Sequence, residues 1–352
     1  MTRPRRRVTQ KDIARMTGVS QAVVSLVLNN RTDTGVRIAP ETRARVLRAI
    51  RDTGYVADPA ARSLVARRNR ILAVFTAEGA FPHHDRYRQL LAGVEAGAER
   101  TGSDLLLLSS APVSDGRRRI FRGDERFRLA DGLLVLGGEV DRSELVRLAD
   151  EEHPCVSVGP GGDPGGPVPS IGADYPAAAA ALVRRAVRLG HTRLAYIGPG
   201  GPAAAGTGQG PEARTGLLRG FRAAVAAAGA DGALIPAAAP GALLDALAGS
   251  RRTVAFVDEP ADAAALAAIA AERGVGIPGD LSVVVPGLPP DTGQGAGGVA
   301  FSGSADPRAA MGRAAVGLLS AILDGADAPG PRLLDCAPVE GRTMAPPRRT
   351  GP

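Results

Sequence analysis

From Ile71 onward the sequence alternates short apolar runs with longer amphipathic segments, and this alternation limits the folds open to the chain. Continuous apolar runs are typical of strands buried on both faces of a parallel sheet. The segments between them have the spacing of helices that cover such a sheet. A first series of strands is therefore expected at ILAVF (71–75), DLLLL (104–108), GLLVL (132–136) and PCVSV (154–158).

A second series of similar size follows, with strands expected at RLAYIG (193–198), TVAFV (253–257) and LSVVV (281–285). Helices are expected near 86–100, 176–189, 215–228, 261–273 and 306–323. Two βα series predict a two-lobed α/β core with parallel sheets. We expect one lobe at about 71–172 and 301–323, and the other at about 173–300 and 324–345.

Three loops rich in glycine and proline follow strand ends in this core: GPGGDPGGPVP, GPGGPAAAGTGQGP and PGLPPDTGQGAGG. Open α/β sheets bind ligands at the carboxyl ends of their strands, so these loops are candidate ligand contacts. The alternative is flexible sequence of low complexity with no binding role. The residues alone leave both interpretations open.

The first 55 residues have a different pattern, which predicts three short helices. Thr9 has the position of a helix N-cap and Asp12 that of its capping-box partner. Gly18 ends this helix, and Ser20 caps a second one that runs to about Leu28. Pro40 suits the first turn of a third helix.

The spacing of Ala14, Gly18, Val24 and Val27 is that of a helix-turn-helix, in which a small residue and a glycine let two helices meet at a tight turn. A second helix of this kind is sized to enter the major groove of DNA. The spacing leaves outward-facing positions at Ser20, Gln21, Ala22, Ser25, Leu26 and Asn29.

Charge is unevenly distributed along the chain. Residues 1–70 hold 16 Lys and Arg against 5 Asp and Glu, a balance of +11, so the remainder carries −4 of the total of +7. A small basic head on a mildly acidic body is typical of nucleic-acid-binding proteins. The alternative is a basic arm that only aids solubility.

Other classes of protein lack support in the residues. The two cysteines, Cys155 and Cys336, form no CxxC pattern, and no secretory h-region or long apolar span occurs, so we expect a cytoplasmic, nucleoid-associated protein with no membrane partner. No GxSxG, P-loop or HExxH motif is present, so we expect no enzyme, no catalytic residue and no cofactor. His83 and His84 lack the carboxylate spacing of a metal site.

The sequences VTQKDIARMTGVSQAVVSLVLNN and APETRARVLRAIRDTGYVADPAARSL resemble the head of the LacI/GalR-type bacterial repressors. VPSIGADYPAAAAALVRRAVRLGHTRLAYIG, GVGIPGDLSVV and VEGRTMAPP extend the resemblance into the core. It implies an N-terminal all-α helix-turn-helix head (1–57), a hinge helix and linker (58–70), and a periplasmic-binding-protein-like core for effector binding and dimerisation (71–352). It further implies a homodimer on a double-stranded, pseudo-palindromic DNA operator, controlled by a small-molecule effector such as a sugar or other metabolite.

Position by position, the resemblance gives several residues a role at the DNA. Thr9, Ser20 and Tyr55 correspond to phosphate contacts, and Gln21 and Ala22 to the main base contacts. Leu64, in DPAARSL, corresponds to a wedge in the minor groove, and Arg62 to a groove or phosphate contact. The remaining positions that match contacts with DNA are Val23, Ser25, Leu26 and Asn29.

The sequence departs from the family pattern at some of these positions. Val23 stands where the family usually has Thr, Leu26 where it often has Arg, and Ala39 where it has a Ser cap. Leu26 cannot pair with the O6 and N7 atoms of guanine, so the operator is expected to differ from the common half-site. The loop from Asn30 to Ile38 is also longer than expected.

The effector contacts depart further. Leu217 occupies the position of a ligand-binding Arg, and VPGL (285–288) replaces a segment that supplies an Asp. Either the pocket binds another ligand, or it is degraded and control comes from a protein partner or from expression level. The candidates for a different ligand set are His83, Asp85, Arg214 and Asp258. A solute-binding protein of the same core fold is a remoter alternative, because the head is intact.

Overall fold

The computed structural model describes residues 8–28, 38–55, 68–77, 85–109, 118–137, 140–159, 166–198, 211–288, 298–327 and 330–348. The chain divides into two compact units, residues 1–69 and 70–352. Residues 58–67 of the predicted hinge helix and linker lie outside the described residues.

The first unit contains α1 (Gln10–Thr17), α2 (Gln21–Leu28) and α3 (Pro40–Thr53). Ile13, Val24 and Val46, one from each helix, are fully buried and form the centre of its small core. Gly18 adopts φ 67°, a left-handed conformation that glycine accepts at little cost, and it ends α1. The predicted helix-turn-helix arrangement is confirmed.

The second unit contains two six-stranded sheets. The first is built from β1 (Ile71–Thr76), β2 (Asp104–Leu107), β3 (Gly132–Leu136), β4 (Cys155–Val158), β5 (Ser170–Ala173) and β11 (Arg332–Leu334). Its order is β11-β5-β4-β3-β1-β2, and all of its pairs are parallel. β1 and β3 are almost entirely buried, as expected for central strands covered by helices on both faces.

The second sheet is built from β6 (Arg193–Gly198), β7 (Asp231–Pro236), β8 (Val254–Val257), β9 (Ser282–Leu288), β10 (Ser302–Ala305) and β12 (Pro338–Val339). Its order is β12-β10-β9-β8-β6-β7. β12 runs antiparallel to β10, and the other pairs are parallel. The predicted two-lobed core with mostly parallel sheets is confirmed.

Helices connect and cover the strands: α4 (Asp85–Thr101), α5 (Arg142–Asp150), α6 (Tyr175–Arg188), α7 (Pro211–Ala227), α8 (Pro240–Gly249), α9 (Pro260–Glu272) and α10 (Arg308–Leu323). The sequence pattern predicts all of these except α5 and α8. None of the helices in the described residues is long and apolar enough to cross a membrane.

The predicted lobe boundaries are wrong near the C-terminus. They assign β10 to the first lobe, but this strand pairs with β9 of the second sheet, with Ser302 opposite Val284. They assign β11 to the second lobe, but it pairs with β5 of the first sheet, with Arg332 opposite Ile171. Both strands are short and lack a continuous apolar run, so long-range backbone pairing decides their place. The chain thus crosses between the sheets after β5, β10 and β11.

Glycines allow α10 to lie against α4 in the first lobe. A Cβ at Gly312 would lie 2.3 Å from the carbonyl oxygen of Leu90, and one at Gly93 would lie 2.1 Å from that of Ala309. Neither distance is possible for a real side chain, so the two backbones meet directly. This contact fixes α10, which carries the chain from the second crossover back along the first sheet.

Candidate nucleic-acid interface and effector site

The start of α1 is closed by a capping box. The Oγ1 atom of Thr9 accepts a hydrogen bond from the Asp12 backbone N at 3.3 Å, and the Asp12 carboxylate accepts one from the Thr9 backbone N at 3.0 Å. This confirms the predicted cap. The Thr9 hydroxyl also lies 2.6 Å from Oδ2 of Asp12 and donates its hydrogen there. In this arrangement a phosphate at the end of α1 would have to compete with Asp12 for the Thr9 hydroxyl.

Ser20 caps α2, as predicted, but its hydrogen bonding differs from that of Thr9. Its Oγ accepts a hydrogen bond from the Val23 backbone N at 3.3 Å. An oxygen that accepts from the helix keeps its own O–H donor, which can point outward to a phosphate oxygen. Of the two capping hydroxyls, Ser20 is therefore the better placed to contact the DNA backbone.

The first turn of α2 is open to solvent on one side. Gln21 and Ala22 are both exposed. The side-chain amide of Gln21 donates a hydrogen bond to Oε1 of Gln10 at 3.2 Å, which links the first residue of α2 to the first residue of α1. The sequence pattern alone does not point to Gln10. Its only signal was a long polar side chain next to the Thr9 cap.

The remaining predicted positions on this surface are partly buried. Val23 and Tyr55 pack against the head core, so both side chains contribute to folding as well as to any contact with DNA. Ser25 and Leu26 are half-buried. Asn29, Arg62 and Leu64 lie outside the described residues, and their roles stay predictions.

Two of the predicted effector residues, Arg214 on α7 and Asp258 after β8, lie together in the second lobe. The Nε atom of Arg214 is 3.1 Å from Oδ2 of Asp258, and its guanidinium also pairs with Glu259. The Tyr196 hydroxyl donates to Oδ1 of Asp258 at 3.0 Å. The Asp258 side chain is 4% exposed and that of Arg214 is 13% exposed. We name these four residues, Tyr196, Arg214, Asp258 and Glu259, the acidic cluster.

Burial dominates the ionisation of this cluster. It raises the pKa of Asp258 to about 6, although the Tyr196 hydrogen bond and the positive charge of Arg214 both act to lower it. Glu259 adds a smaller effect in the same direction as burial. The pKa of Tyr196 is raised by burial and by the neighbouring Asp258 charge. Asp258 therefore changes its ionisation slightly below neutral pH.

Other predicted effector positions are not part of the cluster. Leu217 is fully buried in the hydrophobic core, and Arg219 on the same helix is exposed. The segment 285–288 belongs to β9 and is buried, so it presents no polar side chain to a ligand. His83 lies outside the described residues. Asp85 begins α4, but its side chain is likewise outside them.

A second buried charge, absent from the sequence predictions, lies where the chain crosses between the lobes. Asp306 follows β10 and is 3% exposed. It accepts hydrogen bonds from the Tyr175 hydroxyl at 3.4 Å and from the Arg308 backbone N at 3.2 Å. The Arg308 guanidinium pairs with it at 3.0 Å. These contacts tie the first crossover to the second. Within the described part of the chain, no group of three or more His, Cys, Asp or Glu could hold a metal ion.

Each of the two units matches a known protein family. Residues 9–58 match the family described as "Bacterial regulatory proteins, lacI family". Residues 183–344 match the family described as "Periplasmic binding protein-like domain". The chain therefore carries a lacI-family head and a periplasmic-binding-protein-like core. The matched head begins at the Thr9 cap and includes α1, α2 and α3, and the matched core includes the acidic cluster.

Relatives with curated names are transcriptional regulators and not enzymes. The HTH-type transcriptional regulator CelR of Thermobifida fusca is 31% identical over 232 residues, which cover 64% of this chain and 63% of CelR. The maltose regulon regulatory protein MalI of Escherichia coli is 28% identical over 198 residues, 55% of this chain and 54% of MalI. The chain thus spans less than two thirds of the length of either relative.

Solved structures share the fold of this chain. The Lac repressor dimer bound to operator and the anti-inducer ONPF has a TM-score of 0.72 at 17% identity, over 97% of this chain and 100% of that one. The complex of the transcriptional regulator CelR with cellobiose has a TM-score of 0.56 at 23% identity, over 96% and 100%. At these identities the likeness concerns the fold alone.

Proposed function

We propose that the protein is a transcriptional regulator, a repressor, that binds a pseudo-palindromic DNA operator as a homodimer. The observation that supports this most directly is the exposed first turn of α2, which carries Gln21 and Ala22 at the point where a helix-turn-helix contacts base edges. The match of residues 9–58 to the lacI family gives the same expectation.

In this proposal Gln21 is the main base contact, since a glutamine amide can pair with N6 and N7 of adenine. Gln10 holds the Gln21 amide from the neighbouring helix before DNA binds. Held side chains lose less conformational entropy on binding, so Gln10 contributes affinity without touching a base. Ser20 donates to a phosphate and fixes the position of α2 on the duplex.

The test is a footprint of the full chain on the DNA upstream of its own gene, followed by binding measurements with the protected duplex. Gln21→Ala is expected to weaken binding to this duplex by about 1–3 kcal/mol and to change the preferred base at one position in each half-site. Arg15→Ala, on exposed α1 surface, is the matched control for loss of a long side chain. Absence of any protected palindrome would refute the proposal.

We further propose a neutral or cationic effector with several hydroxyl groups, bound against the acidic cluster. The cluster has two carboxylates and one guanidinium, so with Asp258 ionised it carries a net negative charge that disfavours anions. Carboxylates are suited to accept hydrogen bonds from sugar hydroxyls. A protein of the same fold, the transcriptional regulator CelR, has been solved in complex with cellobiose, which is consistent with a carbohydrate effector.

The alternative is a regulator without a small-molecule effector, and one observation favours it: the guanidinium of Arg214 is already engaged by two carboxylates. A thermal-shift screen of neutral sugars and polyols on the full protein distinguishes the two. A ligand that raises the melting temperature of the wild type and of Arg219→Ala, but not of Arg214→Ala, supports the effector proposal. The two arginines lie on the same helix, and only Arg219 is exposed. No stabilisation by any sugar favours the alternative.

The proposed homodimer uses the outer strands β2 and β7, which lie at the ends of the two sheets. Leu107 on β2 is 44% exposed and Leu234 on β7 is 48% exposed. Exposed apolar residues on an edge strand favour pairing with another chain. Leu107→Glu with Leu234→Glu is expected to shift the protein from dimer to monomer in sedimentation equilibrium. A dimer of unchanged stability would place the interface elsewhere.

A further inference from the structure

A cleft on the first lobe lies between the outer face of α10 and the edge strand β11, in a different lobe from the acidic cluster. Its volume is about 1020 Å³. Three arginines line it, Arg100 at the end of α4, Arg313 on α10 and Arg332 on β11, and none of its described lining residues is acidic. Small and apolar residues form the rest of the described lining, among them Leu318 on α10 and Leu333 on β11.

The three arginines have no carboxylate or side-chain hydrogen-bond partner among the described residues. Other arginines of the core differ: Arg252 pairs with Asp231 at 3.0 Å, and Arg308 with Asp306 at 3.0 Å. Arginine is abundant in this chain, so one unpaired guanidinium means little. Three around one cleft, with no carboxylate among its described lining residues, repel one another, and an anion that binds between them removes this repulsion.

The apolar part of the cleft limits what the anion can be. Leu333 is 46% exposed although it lies in a strand, and Leu318 on α10 is half-buried. A bare inorganic ion would leave these side chains in water, whereas an organic molecule covers them and gains hydrophobic free energy. The volume is near the upper end of the ~300–1,000 Å³ that is typical of small-molecule sites.

We propose that this cleft binds a small organic polyanion, a phosphorylated or polycarboxylated metabolite. Its anionic groups pair with Arg313 and Arg332, since guanidinium groups bind phosphate and carboxylate through two parallel hydrogen bonds. Arg100 contributes a third positive charge at one end of the cleft. The carbon skeleton lies against Leu318 and Leu333. A second ligand site, of opposite charge preference, thus lies outside the acidic cluster.

The test uses the full chain with two organic probes, phenyl phosphate and citrate, which separate phosphate from carboxylate ligands. Isothermal titration calorimetry is expected to show binding of at least one probe, weakened at least tenfold by Arg313→Gln with Arg332→Gln. Arg222→Gln, an exposed arginine on α7, removes one positive charge elsewhere and is expected to leave affinity within twofold. Equal losses in the two variants, or no binding of either probe, would overturn the proposal.

The basic head also attracts anions, so the site of binding needs its own measurement. Hydrogen–deuterium exchange with the bound probe is expected to protect the backbone of α10 and β11. Protection confined to residues 8–55 would place the probe on the head and overturn the proposal. If the double variant does not fold, Arg332→Gln alone, on an exposed edge strand, provides the same comparison with an expected loss of at least threefold.

Discussion

Replacing Asp258 by Asn is expected to give a pH-dependent gain in stability. Burial raises the pKa of Asp258 to about 6, against an ordinary value of 3.8. The folded state therefore favours the protonated carboxyl. This contribution to stability is complete below pH 3.8, where both states are protonated, and it is lost as the pH rises through about 6. The amide side chain of the variant stays neutral at every pH and shows no such loss.

The magnitude follows from the difference between the two pKa values. A difference of roughly two units corresponds to about 3 kcal/mol, of which roughly half develops between pH 5 and pH 7.5. The side chain is 4% exposed, so solvent screens this effect little. The stability of Asp258→Asn relative to the wild type is thus expected to rise by about 1.5 kcal/mol over this range. For a core of this size that is a relative gain of about 3–6 °C in melting temperature.

Differential scanning calorimetry of both proteins at half-unit steps from pH 5 to pH 7.5 measures this gain in the unfolding transition of the core. Asp245→Asn is the control, because Asp245 is 70% exposed and loses the same charge at the surface. A gain of the same size in Asp245→Asn would assign the effect to the loss of a charge in general. A constant difference between Asp258→Asn and the wild type, or a difference that falls as the pH rises, would refute the reasoning.

Other substitutions test separate parts of the structure. Gly312→Ala is expected to destabilise the core by about 1–3 kcal/mol, because its Cβ meets the α4 backbone, while Gly317→Ala, with open space around it, is expected to stabilise by about 0.5–1 kcal/mol in urea unfolding. If Gly317→Ala destabilised the core more than Gly312→Ala, the close contact between α10 and α4 would lie elsewhere. Ser20→Ala is expected to cost about 1 kcal/mol of head stability and to weaken operator binding without changing its salt dependence, since a neutral hydroxyl releases no counterion from the phosphate. Unchanged operator affinity would assign Ser20 to capping alone. Gln10→Ala is expected to weaken operator binding less than Gln21→Ala does, as measured by fluorescence anisotropy; equal losses would make Gln10 a direct base contact.

The features of the head that the sequence predicted correctly depend on local chemistry. A threonine or serine before a helix can accept a hydrogen bond from the backbone N–H three residues later. A glycine after the helix can adopt a left-handed φ. Neither feature depends on the remainder of the fold. Thr9, Gly18 and Ser20 therefore have the predicted roles. The same holds for central strands such as β1 and β3, whose apolar runs indicate burial on both faces.

Features that depend on long-range pairing were not predictable in this way. β10 has the sequence SGSA, which no propensity assigns to a buried strand, yet it lies between β9 and β12. A Cβ at Gly303 in this strand would lie 1.8 Å from the carbonyl oxygen of Val285, so close strand packing explains the small residue. The Gln10–Gln21 hydrogen bond and the Asp306 contacts likewise join residues that only the folded chain brings together.

The acidic cluster shows what such pairing changes in a functional interpretation. The sequence offered Arg214 and Asp258 as two separate polar candidates, but the structure joins them with Glu259 and Tyr196, so a ligand meets a partly neutralised group. Because the pKa of Asp258 is about 6, the affinity for the proposed effector is also expected to depend on pH. A ligand that donates a hydroxyl hydrogen to Asp258 binds more tightly above pH 6, where the carboxylate is ionised. One that accepts a hydrogen from the protonated carboxyl binds more tightly below it. The direction of this dependence therefore reports how Asp258 contacts the ligand.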